Sequence, residues 1–440
     1  MKSKVPDVVI VGGGFAGLAA AKALRHSDAN VTLIDRQNHH LFQPLLYQVA
    51  TSVLTPGQIG SPLRAILGSH RNTRVITGEV YGIRTAERDV RSRSPEGREL
   101  CIKYDYLIVA TGATHSYFGH PEFEQFAPGL KTLADAVSIR NKILRSLEEA
   151  EVADDPVSQA QLLTFVFVGA GPTGVELASA LSILVRTTMR KCFRFVDPLK
   201  VRIILVDQAD RVLGTFAPAL SLAAKQRLVR LGVEVRLGHG VDAIDANGVT
   251  VNGEYIAAHT VIWAAGVTPS PAFKWLGAPS DRAGRVTIQP DLSVAGNPNV
   301  FVVGDTASLS VGGRPLPGVS QVAIQQGRYA AHCIDRNIRG NRPLPAFSYF
   351  DKGNMAVIGA RYAILQSGRF KLKGLIAWFV WAAIHIQFLA QSYMRLTVFI
   401  QWSWTYITGQ RGSALIVNHH CENSTTNKAL QRDEHQHHTK

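Results

Sequence analysis

One glycine pattern occurs twice in this chain, and it constrains the fold more than any other feature. Val8-Val9-Ile10-Val11 runs into Gly12-Gly13-Gly14-Phe15-Ala16-Gly17 and then an Ala/Leu-rich helical stretch over residues 18–24. Phe165-Val166-Phe167-Val168 runs into Gly169-Ala170-Gly171-Pro172-Thr173-Gly174 and a helical stretch over residues 175–184, an offset of 157 residues. In each half a second apolar strand ends in an acid, Asp35 in one case and Asp207 in the other. Each half also has a later apolar strand that closes on small residues, at Thr111-Gly112 and at Gly266. Three signals in one order, repeated, predict two related nucleotide-binding units and an α/β fold. A chain of 440 residues has room for both and for a further region.

The chemistry needs these residue types at this spacing. Gly12 and Gly169 permit the tight turn, Gly14 and Gly171 let backbone approach a pyrophosphate, and Gly17 and Gly174 let the helix pack close to the sheet. Amides at the helix N-terminus then face the phosphate charge. Asp35 and Asp207 are placed to accept from a ribose 2′-hydroxyl, and a carboxylate at Asp207 repels a 2′-phosphate, favouring NADH over NADPH. Arg211, four residues on, bears on that preference from the other side. A late strand, Val300-Phe301-Val302-Val303, ends in Gly304-Asp305, which suits a second contact to a cofactor held by the first unit. The chain would then leave the first unit, build the second and return. The expected domains are 1–120 with 296–340 for the discontinuous first unit and 121–295 for the inserted one. Residues 341–417 form a C-terminal region, and 418–440 a polar tail expected to be disordered.

The net charge of +14 is uneven, since residues 341–440 hold 11 Lys/Arg against 4 Asp/Glu, a net of +7. The same region contains 21 residues, 374–394, without Lys, Arg, Asp or Glu, and a second apolar stretch over 396–408. Four of the six tryptophans (Trp378, Trp381, Trp402, Trp404) lie there. A helix of that first length would be about 31 Å long, enough to span a bilayer core. His385, Gln387 and Gln391 argue against spanning. Gln387, Gln391 and Arg395 would form a polar stripe, so a helix lying in the membrane interface is preferred to a span over 374–394. Burial in the core or in a homodimer is the remaining use of such a helix. Nucleic acid is disfavoured, because no basic stripe interleaved with exposed aromatics lies outside this segment. The chain opens on Lys2, Lys4 and Pro6-Asp7 rather than on a signal-like core, so the fold is expected to start at residue 5. Cys101, Cys192, Cys333 and Cys421 are too scattered for a disulfide framework or a CxxC site, and a reducing compartment follows. The tail histidines (His419, His420, His435, His437, His438) are expected to bind metal only adventitiously.

With these motifs the sequence resembles the two-dinucleotide-fold flavoprotein reductases, and more closely the type II, non-proton-pumping NADH:quinone oxidoreductases. The resemblance covers about residues 5–417. It is carried by His39-His40-Leu41-Phe42-Gln43-Pro44-Leu45-Leu46-Tyr47-Gln48-Val49-Ala50 after the first acid. It is carried also by Ser320-Gln321-Val322-Ala323-Ile324-Gln325-Gln326-Gly327, similar to the AQxAxQ quinone-site motif with serine for its first alanine, and by Gln401-Trp402-Ser403-Trp404-Thr405-Tyr406 with Gln410-Arg411-Gly412.

The resemblance implies FAD in the first unit, NADH in the second and a membrane quinone as acceptor, at the cytoplasmic side of the cell membrane with an anionic lipid surface as partner. It implies that Gln321 and Gln325, four apart on one helix face, line a quinone tunnel. It also places Glu176 where nicotinamide, flavin and quinone meet, and makes Gln48 a flavin or quinone contact. No protein nucleophile is needed and no resident metal is expected, because cofactors carry the chemistry. A sulfide:quinone reductase would need cysteines converging on the flavin, and a disulfide reductase a redox pair. A soluble ferredoxin or rubredoxin reductase would lack the basic, Trp-rich C-terminus. A redox sensor binding FAD and NADH without useful turnover is the non-enzyme alternative.

Overall fold

The computed structural model describes residues 4–417; the tail and its histidines lie outside the described residues. The first glycine pattern joins the strand Asp7–Val11 to helix α1 (Phe15–Ala23). That strand sits inside a sheet with parallel neighbours Asn30–Asp35 and Tyr106–Val109, and Thr73–Thr77 follows beyond Asn30–Asp35. These strands read as unbroken apolar runs because a parallel sheet is covered on both faces, and Val8, Val9 and Ile10 are all buried. After Asp35 the chain forms a short helix, α2 (Leu46–Ala50), whose residues are all buried.

The second unit repeats the first in detail. Thr164–Val168 lies between parallel strands Arg202–Asp207 and Thr260–Trp263, with Val233–Leu237 on the outside. Helix α3 (Pro172–Leu184) follows its glycine turn, with Pro172 at the first helical position. Both units interpose a three-stranded antiparallel meander before a further parallel strand, Glu79–Arg84/Asp89–Arg93/Glu99–Lys103 before Tyr106–Val109 in one and Val241–Ile244/Gly248–Val251/Glu254–Ala257 before Thr260–Trp263 in the other. Cys101 lies within one of these.

Two antiparallel strands, Ala113–His115 and Val267–Pro269, carry the chain out of the first unit and back. The return strand Asn297–Val302 then pairs in parallel with Tyr106–Val109. Ala272, Leu276, Val286 and Leu292 already share the first unit's core, so its buried contacts resume well before residue 296. Helix α4 (Ser320–Ile338) lies directly on α1, and a Cβ on Gly327 would meet the Ala16 carbonyl oxygen at 2.1 Å. That glycine therefore sets the helix–helix approach.

The C-terminal region folds differently from the expectation of one long interfacial helix. After the sheet Asn354–Val357/Ala363–Ser367/Phe370–Gly374 come two helices, α5 (Leu375–Phe388) and α6 (Ser392–Thr408). The break at residues 389–391 separates Gln387 from Gln391 and Arg395, so their predicted stripe does not form. Arg395 Nε donates to the Leu389 carbonyl at 3.2 Å, a group the helix end leaves without a helical partner. Among the described residues no helix is long and apolar enough to cross a membrane. The tryptophans were expected at a lipid interface, but Trp378, Trp381 and Trp402 are buried in the core that α2 and α3 also enter. Trp381 and Trp402 stack at 5.3 Å. Of the four, only Trp404 is exposed, at 55%.

Candidate functional site

Each glycine cradle has one open position. A Cβ on Gly12 (φ +105°) would meet the Ala110 carbonyl oxygen at 2.2 Å, and one on Gly17 the Gly12 carbonyl oxygen at 1.8 Å, whereas at Gly14 nothing lies within 4 Å. The second cradle repeats this. A Cβ on Gly169 (φ +109°) would meet Ala264 at 2.8 Å and one on Gly174 the Gly169 carbonyl oxygen at 1.8 Å, while Gly171 faces open space. Neither Gly14 nor Gly171 caps its helix with a side chain, so first-turn amides are left for a ligand. An adenine dinucleotide needs that combination, a turn closed on the protein side and open toward the pyrophosphate.

The two acids hold their cradles together. Asp35 accepts from the amides of Gly13 and Gln37, and Asp207 from those of Ala170 and Ala209. Each carboxylate keeps further acceptor capacity for a ribose. Burial pushes the Asp35 carboxyl up, against those two amides. Arg211 donates to the Gly214 carbonyl rather than facing Asp207. Beneath the first turn, buried His40 contributes a feature that spacing alone did not reveal. Burial lowers its pKa to about 4, so the neutral ring donates Nδ1–H to the Gly13 carbonyl at 3.0 Å.

Thr111, Gly112, Gly304 and Asp305 come together at the ends of adjacent strands. Thr306 Oγ1 bridges the Gly112 carbonyl and Thr111 Oγ1, each at 3.2 Å. Asp305 lies in a single 3₁₀ turn, where it caps no helix. It lines a cavity of about 170 Å³ together with Gly304, Ala113, Val267, Gly318 and Val322. This loop depends on a residue not singled out from sequence. Buried Gln326 accepts the Gly304 amide at 2.7 Å. In the second unit Gly266 takes the same left-handed conformation as Gly112, with φ values of +70° and +67°.

Glu176, Gln321 and Gln325 all grip one stretch of chain, residues 350–357. Gln325 exchanges two hydrogen bonds with the Phe350 backbone, at 2.9 and 3.0 Å. Gln321 donates to the Gly353 carbonyl at 2.7 Å and accepts from the Lys352 amide at 3.2 Å. Both amide groups are thus spent on α4's hold on residues 350–353, just ahead of the strand Asn354–Val357. Glu176, in the first turns of α3, accepts the Val357 amide at 3.4 Å. Desolvation raises its pKa to about 8 from an ordinary 4.5, so it is largely protonated at neutral pH. The native state keeps this proton where the unfolded chain has released it. Stability is therefore expected to fall as pH rises from 4.5 to about 8. Glu176→Gln should flatten the loss of Tm across neutral pH. An unchanged slope would assign the dependence to other groups.

A second cavity, of about 320 Å³, lies between α2, α3 and the C-terminal region; Tyr47, Ala180, Ile183, Gly359, Tyr406 and Arg411 line it. Arg411 is buried and donates to the Thr51 and Ala180 carbonyls. Burial lowers its pKa to about 10, which leaves it charged at neutral pH. Gln48, expected to touch a cofactor or quinone, has both ends of its amide bonded within the protein, to Trp402 and Tyr47. Cys101 and Cys333 line neither cavity.

The pyridine nucleotide-disulphide oxidoreductase family matches residues 6–327. Two proteins of Mycobacterium tuberculosis are similar over nearly all of the chain. The type II NADH:quinone oxidoreductase Ndh is 42% identical, with 93% of this chain and 90% of that one covered. The type II NADH:quinone oxidoreductase NdhA is 44% identical, with 93% and 89% covered. The structure of NDH2 from Plasmodium falciparum in complex with NADH has a TM-score of 0.85 at 19% identity, over 94% of this chain and 100% of that one. The sulfide:quinone oxidoreductase of Aquifex aeolicus has a TM-score of 0.68 at 19% identity, over 90% and 95%. The last two likenesses are of fold alone.

Proposed function

The chain belongs to the type II NADH:quinone oxidoreductases, and on that footing we propose that it delivers the reducing equivalents of NADH, through bound FAD, to a membrane quinone without pumping protons. The observation that carries this reading is the doubled cradle, each copy open at its middle glycine and closed by an acid one strand away. The first cradle, with Thr111, Gly112, Gly304 and Asp305 on adjoining strand ends, is assigned to FAD. The second, with Gly266, is assigned to NADH, and Asp207 disfavours a 2′-phosphate there. FAD supplies the hydride and electron chemistry when bound.

The protein's own residues bind, orient and exclude water. Gln321 and Gln325 hold residues 350–353, the lead-in to the strand Asn354–Val357, in place, and Glu176 buttresses the strand's far end. The 320 Å³ cavity is assigned to the quinone head group, because it reaches from α2 and α3 to the last turn of α6. Docking of α5 and α6 on the cytoplasmic surface of the membrane would present that opening to a lipid-soluble substrate. Exposed Ile376 and Phe379 on α5, and Leu396, Phe399, Ile400, Trp404 and Ile407 on α6, form the proposed lipid face. Exposed Arg369, Lys371 and Lys373 beside it suit anionic headgroups. A homodimer through the same helices is the competing use of this surface.

The test is optical. Purified protein should show a flavin spectrum that bleaches on adding NADH under anaerobic conditions and recovers on adding decylubiquinone. Bleaching without recovery would count against the quinone step, and a colourless protein against the FAD assignment.

A further inference from the structure

The direction of one hydroxyl hydrogen can be read from the polarity of two hydrogen bonds. An indole N–H can only donate. Trp402 Nε1 donates to Gln48 Oε1 at 2.7 Å, which fixes the orientation of that amide. Its other end must then be Nε2, and Nε2 donates to the Tyr47 hydroxyl at 2.9 Å. Reversing the amide would set two N–H groups against each other in a buried site, where an unmade bond is costly. The Tyr47 oxygen is therefore an acceptor toward Gln48, and its own O–H has no acceptor among the described residues. Tyr47, Gln48 and Trp402 are all more than nine-tenths buried. Tyr47 and Gln48 line the 320 Å³ cavity, so the unspent hydrogen belongs to its wall. Of the two arginines on the same wall, Arg361 and Arg411, the buried one, Arg411, is already bonded to two backbone carbonyls. Burial and the nearby Glu176 carboxyl push the Tyr47 phenol up, so it keeps its proton at neutral pH.

We propose that Tyr47 donates a hydrogen bond to a carbonyl oxygen of the quinone, and that Gln48 and Trp402 are positioning residues that hold its hydrogen toward the cavity. The role is recognition and orientation, and no proton leaves Tyr47. It rests on the assignment of this cavity to the quinone.

Two variants of the holoenzyme test it. Tyr47→Phe removes the donor and keeps the ring, and is expected to raise the KM for decylubiquinone roughly fivefold, the value of one neutral hydrogen bond. Gln48→Glu replaces the amide's donor end with an acceptor. It should draw the Tyr47 hydrogen away from the cavity, reproduce that KM change, and add nothing in the Tyr47→Phe background. Flavin reduction by NADH and turnover with ferricyanide should stay at wild-type rates in all three. The infrared carbonyl stretch of bound decylubiquinone should move to higher wavenumber in Tyr47→Phe.

An unchanged KM and carbonyl stretch in Tyr47→Phe would overturn the proposal. Additive effects of the two substitutions would overturn the positioning role of Gln48. Failure of the quinone reading itself looks different, since wild-type flavin reduced by NADH would then not be reoxidised by decylubiquinone.

Discussion

Gly17→Ala is expected to yield a protein that is both flavin-free and less stable. The added methyl would sit 1.8 Å from the Gly12 carbonyl oxygen and 3.2 Å from the Ile10 side chain. The first clash is with backbone, so no rotamer change relieves it, and α1 must move off the sheet. A cost of about 3 kcal/mol is the expectation for overpacking of this kind. Gly14→Ala isolates the other half of the effect. Nothing lies within 4 Å of that Cβ, so the fold should tolerate it while the methyl occupies the pyrophosphate's approach. The two variants should therefore separate in a thermal melt but agree in flavin absorbance per mole of protein. Full flavin content in Gly17→Ala, or in Gly14→Ala, would contradict the assignment of this cradle.

Placing glutamates at Ile376, Phe379, Phe399 and Ile400 is expected to abolish sedimentation with phosphatidylglycerol-containing vesicles. These side chains are 55–68% exposed, so the substitutions need not disturb the core. Burying an apolar side chain of this size in lipid contributes on the order of 1.5 kcal/mol even at the low end. Losing four should weaken partitioning by more than a thousandfold, roughly. Ferricyanide turnover should persist, because no substituted residue lies in a cradle. Undiminished vesicle binding would place the lipid face elsewhere. Truncation from residue 371 cannot make this measurement. It would strip Trp378, Trp381 and Trp402 from the core they share with α2 and α3, and deleting one such tryptophan costs on the order of 3–5 kcal/mol.

The cradles were legible because their signals are local. A strand, a turn requiring glycine, a helix and an acid at the next strand's end lie within a few dozen residues. Each is dictated by backbone conformation or close approach. The C-terminal region was not legible in this way. An uncharged run such as 374–394 is compatible with a span, an interfacial helix or a core helix. Only the burial of Trp378 and Trp381 in the core that α2 and α3 also enter, and the turn at residues 389–391, decided for two short helices with one buried and one exposed face.

Gln321 and Gln325 show the same divide within the site. Their four-residue spacing placed them on one face of a helix, and they do share it. What that face meets is the backbone at residues 350–353, which arrives through a loop that spacing cannot position. Gln326, adjacent and unremarked, is the one that holds the Gly304 turn. Tyr47 stood out only as part of a motif, and Gln48 was expected at a flavin or quinone; its partner Trp402 lies more than 350 residues away.

By itself, the order of residues determined that this chain builds two dinucleotide cradles, since turns and strand ends are set by short-range sterics and hydrogen bonding. Tertiary structure alone decided which side chains line the cavity between them and the C-terminal helices. Those contacts join segments distant in the chain, and their geometry follows from how whole layers pack.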